Sequence, residues 1–203
     1  MLVTDRRIAG GAAALIDAVA RAVASAVAGG VTAVQMRERG LATRELLALA
    51  TELRAITRDG GARLVVNDRV DVALAAGADG VQLGFRSMTP ADVRRVAGDA
   101  LAIGRSVHDL EEVRAACAEG ADWLIFGPVH ATPSKVGLVA PAGVEGLRAA
   151  VAAAGSVPVV AIGGLDSSNA AAARAAGAAG VAAIRAILAG DDPAASARAM
   201  SGS

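Results

Sequence analysis

Five short stretches of this chain gather side chains that can do chemistry. Gln35, Arg37 and Arg39 alternate with Met36 and Glu38, so an amide and two guanidinium groups share one face of an extended segment and could converge on a carboxylate or phosphate. The plainer alternative is a solvated strand edge. Asn67-Asp68-Arg69 offers a carboxylate for Mg²⁺, an ion that one carboxylate rarely holds without substrate phosphates; equally, Asn67 or Asp68 could cap the next helix. Ser106 and His108 point to one face, and histidine is the side chain best suited to moving a proton near neutral pH. The run Ser106-Val107-His108-Asp109 is contiguous and is no triad, which depends on three-dimensional roles, and His108 could serve as a structural hydrogen-bonder. Thr132, Ser134 and Lys135 put two hydroxyls and an ammonium into the longest loop, suited to phosphate or carboxylate contacts or simply a mobile polar segment; His130 there is a loop residue. Finally, the apolar run Ala161-Ile162 ends in Gly163-Gly164 and is followed by Asp166-Ser167-Ser168-Asn169 and an alanine-rich helix. Paired glycines make a tight turn, and at a strand-to-helix junction they also let backbone N–H groups reach an anion.

The elements that must position these residues follow from the apolar pattern. Valine- and isoleucine-rich runs alternate with longer alanine-rich segments carrying charges at helical spacing, the pattern of a parallel sheet covered by helices. Strands are expected at 2–4, 31–37, 63–67, 80–83, 102–107, 123–126, 157–162 and 181–184. Helices are expected at 12–28, 43–58, 70–76, 90–97, 110–119, 144–154, 168–176 and 193–200. Thr89 before Pro90, Asp109 before Leu110 and Asp166 before Ser167 read as helix caps. One phrase recurs: Ala76-Gly77-Ala78-Asp79-Gly80-Val81, Glu119-Gly120-Ala121-Asp122-Trp123-Leu124 and Ala176-Gly177-Ala178-Ala179-Gly180-Val181, with Ala28-Gly29-Gly30-Val31 a looser copy. In it glycine closes a helix in the left-handed conformation before the chain enters a strand. The copies precede every second strand, and no G-x-G-x-x-G fingerprint is present, which favours a single-domain (β/α)8 TIM barrel over residues 1–203 rather than an open doubly wound sheet. In such a barrel the carboxyl ends of the strands carry the site. Ala183 and Ile184 would then join Gly163 and Gly164 in a phosphate cup after the last two strands, with Arg185 either adding charge or pointing outward. Trp123, at the start of its strand, reads as packing.

Composition narrows the function classes. The 203 residues contain 20 Lys and Arg against 20 Asp and Glu, a net charge of zero, so no basic patch is available for a nucleic acid. The single cysteine, Cys117, allows neither an internal disulfide nor a thiolate metal site. Hydrophobic residues make up 54% of the chain, mostly alanine and valine, in runs too short for a membrane span. The start Met1-Leu2-Val3-Thr4-Asp5 lacks the pattern of a signal peptide and opens directly on a strand, so a cytoplasmic location with no preceding helical extension is expected. Homo-oligomerisation is left open.

Taken together, Val3-Thr4-Asp5, the run from Val34 to Arg39, the run from Val66 to Leu74, Gly80-Val81-Gln82-Leu83, Gly104 to His108, Phe126-Gly127-Pro128-Val129 with Thr132 to Lys135, and Val160 to Gly164 resemble the family shared by thiamine phosphate synthase and the TenI-type thiazole tautomerase. The resemblance implies a (β/α)8 barrel acting in thiamine biosynthesis. In the synthase, Mg²⁺ is held by the aspartate of an Asn-Asp pair, matched by Asp68, and by another in a Gly-Gln-Glu-Asp-like turn. That turn here reads Gly84-Phe85-Arg86-Ser87, without a carboxylate. The tautomerase phrase Arg-Ser-Val-His stands unchanged at Arg105 to His108. The expectation is therefore a metal-free tautomerase, an isomerase that aromatises a carboxythiazole phosphate, with no cofactor and with that small molecule as its partner. By resemblance His108 is its acid and base, and Ser106 positions His108 or the substrate. Gln35, Arg37, Arg39, Asn67, Thr132, Ser134 and Lys135 bind the substrate, and the backbone at Gly163, Gly164, Ala183 and Ile184 holds its phosphate. The alternative is the Mg²⁺-dependent synthase, a transferase, and the second alternative a thiazole-phosphate-binding barrel without catalysis.

Overall fold

The computed structural model describes residues 1–9, 15–132 and 140–201. In chain order the elements are β1 (Leu2–Val3), α1 (Arg6–Ala9), α2 (Leu15–Ala28), β2 (Ala33–Met36), α3 (Thr43–Asp59), β3 (Arg63–Asn67), α4 (Val70–Ala76), β4 (Gly80–Leu83), α5 (Pro90–Ala97), β5 (Ala102–Val107), α6 (Leu110–Ala118), β6 (Trp123–Phe126), α7 (Gly143–Ala154), β7 (Val159–Ile162), α8 (Ala170–Ala175), β8 (Gly180–Ala182), α9 (Arg185–Leu188) and α10 (Pro193–Ser201). The eight strands form one sheet in the order β1 to β8, the sequential order of the expected (β/α)8 barrel class. Two compact units make up the chain: Met1–Val81 with Ile184–Ser203, and Gln82–Ala183.

In the first unit β1 pairs with β2 (Val3 opposite Gln35) and β2 with β3 (Gln35 opposite Val65), both parallel. Helix α3 buries Leu46, Leu49, Ala50, Leu53 and Thr57, the spacing that puts one stripe of a 3.6-residue helix on the sheet. Its start is held by Glu45, whose carboxylate accepts the Ala42 N–H at 2.9 Å. Helices α2 and α10 pack so closely that a Cβ at Gly29 would overlap the Ala194 backbone.

In the second unit β5, β6, β7 and β8 pair in turn, all parallel, with Gly104 opposite Trp123, Ile125 opposite Val160 and Ile162 opposite Ala182. Two of the expected caps are formed: Thr89 Oγ1 accepts the Asp92 N–H at 3.1 Å and Asp109 Oδ1 the Glu112 N–H at 2.8 Å. Asp166 does not cap α8. Its carboxylate instead closes the turn ahead of the helix, accepting from the Ser168 N–H at 2.8 Å and the Ser168 hydroxyl at 2.6 Å.

The recurring phrase has a definite structural meaning. Gly77, Gly120 and Gly177 have φ of 62°, 82° and 98°, and the next residue donates back into the helix, Ala78 to Ala73, Ala121 to Ala116 and Ala178 to Ala173. In two copies the aspartate then clamps the preceding strand. Asp79 donates its N–H to the Leu64 carbonyl (2.9 Å) and accepts the Leu64 N–H on Oδ2 (2.7 Å). Asp122 does the same to Ile103, at 2.7 and 2.6 Å. Arg54 and Arg94 each close the clamp with a guanidinium on the carboxylate, at 2.8 and 2.7 Å.

The expected elements differ from the observed ones at their ends, and two short helices were not expected. β2 starts at Ala33 rather than at 31, because the Val31 N–H turns back to the Ala26 carbonyl. β7 starts at Val159 rather than at 157, because the Val157 N–H goes to Ala154 and Pro158 has no donor. β8 ends at Ala182, and residues 185–188 form a short helix that the sequence pattern did not mark. Helix α1 was missed too: Asp5 starts it, accepting the Ile8 N–H on its carbonyl and the Arg7 N–H on Oδ1. The expected first turn of α2, residues 12–14, lies outside the described residues.

Candidate active site

Each candidate among the described residues follows, or stands near, the carboxyl end of its strand. In the first unit Gln35 is 3% exposed and donates its amide N–H to Asn67 Oδ1 at 2.9 Å, which joins the ends of β2 and β3. Its Oε1 is buried with no hydrogen-bond partner among the described residues, an acceptor waiting for a donor. Arg37 is held by the chain, its N–H donating to the Thr4 hydroxyl at 3.0 Å. Burial, and then the neighbouring charge of Arg39, hold the Arg37 guanidinium below its usual pKa; Asp5 and Glu38 oppose this. A bound anion would relieve both effects. Arg39 is exposed.

Glu38, which the alternation turns away from Arg37, is 7% exposed and accepts the Arg6 N–H on Oε2 at 3.0 Å, while Oε1 has no partner among the described residues. Burial pushes its carboxyl up. Sequence reasoning gave this residue no role; its only signal was a carboxylate on the inward side of an alternating run.

Asp68 has a left-handed φ of 68°, the only positive value outside glycine among the described residues, and its exposed carboxylate makes no hydrogen bond among them. It caps nothing. Its neighbour Arg69 is engaged instead with Asp71, at 2.8 and 2.5 Å, and with Thr43 at 3.2 Å. A non-glycine residue held in this conformation at a strand end is a recognised mark of a functional position.

In the second unit the turn after β4 is closed by Ser87, whose hydroxyl accepts the Gly84 N–H at 2.7 Å, leaving Phe85 79% exposed and Arg86 exposed. Ser106 receives a hydrogen bond from the Gln82 amide at 3.1 Å. His108 is tied to the start of α6: Glu112 Oε2 accepts its backbone N–H at 2.7 Å and lies 3.0 Å from its Nδ1. The ring is therefore oriented by a helix terminus.

Gly163 and Gly164 have φ of 101° and 61°. A Cβ at Gly163 would come within 2.6 Å of Pro128 Cα, and one at Gly164 within 2.7 Å of the Ala131 carbonyl. The paired glycines thus also admit the chain after β6. Ala183 is buried directly after β8; Ile184 precedes α9, where Arg185 is exposed. Thr132 is half-buried, and Ser134 and Lys135 lie outside the described residues.

A magnesium ion finds little protein here. No group of three or more His, Cys, Asp or Glu side chains among the described residues is arranged to hold a metal. Asp68 alone fits, exposed and without a hydrogen-bond partner, provided phosphate oxygens of a substrate complete the shell, which is the usual habit of Mg²⁺. No helix among the described residues is long and apolar enough to cross a membrane.

The family model described as thiamine monophosphate synthase matches residues 1–187. The thiamine-phosphate synthase of Solidesulfovibrio magneticus is 51% identical over 199 residues, 98% of this chain and 92% of that protein. That of Chloroflexus aurantiacus is 45% identical, covering 88% of this chain and 82% of that one. Among solved structures, the thiamine phosphate pyrophosphorylase of Pyrococcus furiosus superposes with a TM-score of 0.88 at 38% identity, covering 99% of this chain and 92% of that one. These relatives overturn the expected tautomerase, and with it the isomerase class and the proton-shuttling role of His108. Two signals misled. The missing second carboxylate does not exclude a synthase, because one carboxylate and a pyrophosphate can share the ion. Nor is Arg-Ser-Val-His diagnostic, since His108 is fixed by the helix start that follows it.

Proposed function

The chain belongs to the thiamine monophosphate synthase family, and from that membership we propose that it is a transferase coupling hydroxymethylpyrimidine pyrophosphate to thiazole phosphate with Mg²⁺. The observation that carries this reading is the 51% identity to a thiamine-phosphate synthase over 98% of the chain. In the coupling, the thiazole ring nitrogen forms a bond to the exocyclic carbon of the pyrimidine as the bond from that carbon to pyrophosphate breaks, the electron pair leaving with the pyrophosphate. The net substitution moves no proton, so the enzyme's task is to orient two rings and to stabilise charge growing on the leaving group.

This chain's residues suit that task. Arg37, partly desolvated beside Arg39, gains most from an anionic oxygen, and with Arg39 it binds pyrophosphate. Gln35, held by Asn67, turns its buried Oε1 to an N–H donor on the substrate, which favours one ring orientation. Asp68 would hold Mg²⁺, which would supply neutralising charge at the pyrophosphate. Ser106 donates to substrate oxygen. Gly163 and Gly164, with the backbone of Ala183 and Ile184, take the thiazole phosphate, and Thr132, Ser134 and Lys135 belong to the loop that contacts phosphate. The test is incubation with both substrates and Mg²⁺, reading thiamine phosphate and released pyrophosphate together. Equal amounts of both are expected, and no product at saturating substrates would reject the proposal.

A further inference from the structure

Gln82 is completely buried, yet its side chain makes two hydrogen bonds whose directions can be assigned. The Trp123 indole N–H, which can only donate, lies 2.9 Å from Gln82 Oε1. That fixes which end of the amide is oxygen, and Nε2 therefore faces Ser106 Oγ at 3.1 Å as the donor. Ser106 accepts this bond, so its own hydrogen is turned elsewhere, and it meets no acceptor among the described residues. Three neighbouring strands, β4, β5 and β6, contribute to this chain of contacts. Gly104 makes it possible: its φ is unremarkable, but a Cβ there would overlap both the Trp123 ring and Gln82 Oε1. Trp123, expected to pack, is also the donor that sets the polarity.

We infer that Gln82 and Trp123 are positioning residues that hold the Ser106 hydroxyl as a hydrogen-bond donor toward an anionic oxygen of the pyrophosphate-bearing substrate. This rests on the coupling reaction proposed above. Were the amide reversed, Ser106 would spend its hydrogen on Gln82 and present only lone pairs to an anion, turning an attraction into a repulsion. The Trp123 N–H makes the reversed state costly, because it would bring two donors face to face.

The experiment measures kcat and KM for coupling, the urea midpoint, and the calorimetric Kd for inorganic pyrophosphate with Mg²⁺, in Ser106→Ala, Gln82→Met, Trp123→Phe and Gln82→Met/Ser106→Ala. Ser106→Ala and Gln82→Met are each expected to lower kcat/KM by about ten- to a hundredfold, the loss of one hydrogen bond to a charged group. Trp123→Phe should lose less, since the amide keeps one correct orientation of two. The double variant should lose no more than Ser106→Ala alone, and pyrophosphate Kd should follow the same order. Losses that multiply in the double variant, or wild-type kcat/KM in Gln82→Met, would overturn the inference. Should Gln82→Met not fold, Trp123→Phe with Ser106→Ala runs the same cycle. A wild type that yields no coupled product rejects the coupling reaction, and the pyrophosphate Kd values then decide the inference by the same comparison. Failure of the wild type to bind pyrophosphate also overturns it.

Discussion

His130 donates its backbone N–H to the carbonyl of Gly163 at 3.0 Å, one residue after Val129 makes the same bond to Ile162 at 2.9 Å. The chain leaving β6 is thereby laid along the turn after β7, and it can come this close only because residues 163 and 164 lack side chains. Gly163→Ala would force a φ of 101° on alanine and push its Cβ against Pro128 Cα, a backbone atom that cannot rotate away. A loss of about 2–5 kcal/mol in stability is expected, read as a lowered urea midpoint at unchanged slope. An unchanged midpoint would mean that the turn relaxes freely.

Asp68 separates function from stability. Its carboxylate is exposed and makes no hydrogen bond among the described residues, and asparagine tolerates the same left-handed backbone. Asp68→Asn should therefore leave thermal stability within about 0.5 kcal/mol of wild type. Coupling should fall by about a hundredfold or more, since the carboxylate proposed to hold Mg²⁺ is gone. Rates are compared over a Mg²⁺ titration; an unaltered metal dependence would remove Asp68 from the metal's shell.

The aspartate clamps give the opposite separation. Asp79→Ala leaves the Leu64 N–H without its carboxylate and Arg54 without its partner, at the starts of the strands. A destabilisation of about 1–3 kcal/mol is expected, mostly from the unpaired N–H, with kcat/KM unaltered. Loss of activity without loss of stability would contradict this assignment. The third copy of the phrase has Ala179 in that place, keeps only the backbone bond to Val159 at 2.8 Å, and offers an internal control.

These contrasts show what sequence reasoning could reach. Strands β3 to β6 were legible residue for residue from their apolar runs, and the glycine phrase located the starts of β4 and β6. α1 and α9 were not, since four residues make barely one turn and leave no periodicity to read. In the site, the convergence of Gln35 on Asn67 follows from alternation and parallel pairing, whereas the Trp123–Gln82–Ser106 chain depends on register across three strands. The choice between two reactions went wrong because it rested on one absent carboxylate, and an absence in the protein can be made good by the substrate.

The pH dependence of stability can be traced to Glu38. Burial raises its carboxyl above the ordinary 4.5, with the Thr4 hydroxyl and then the Arg6 N–H opposing only in part. Between the unfolded value and the raised folded value the native state binds more protons than the unfolded chain, so this residue's stabilising contribution is complete below about 4.5 and is lost as pH rises through the folded pKa. Glu38→Gln cannot ionise, and its amide can still accept from Arg6 while offering a donor where Oε1 has no partner. The variant should therefore gain on wild type steadily from about pH 4.5 upward and hold a constant advantage once wild-type Glu38 is fully ionised. Asp5, lowered first by its hydrogen bond from the Arg7 side chain, has the opposite slope, stabilising above its unfolded value and losing this as pH falls. Since Asp5 is present in both proteins, its contribution largely cancels in the difference. Urea midpoints of the two proteins at pH 4 and pH 8 make the comparison, and a difference that does not change with pH would show that Glu38 is solvated in the native state.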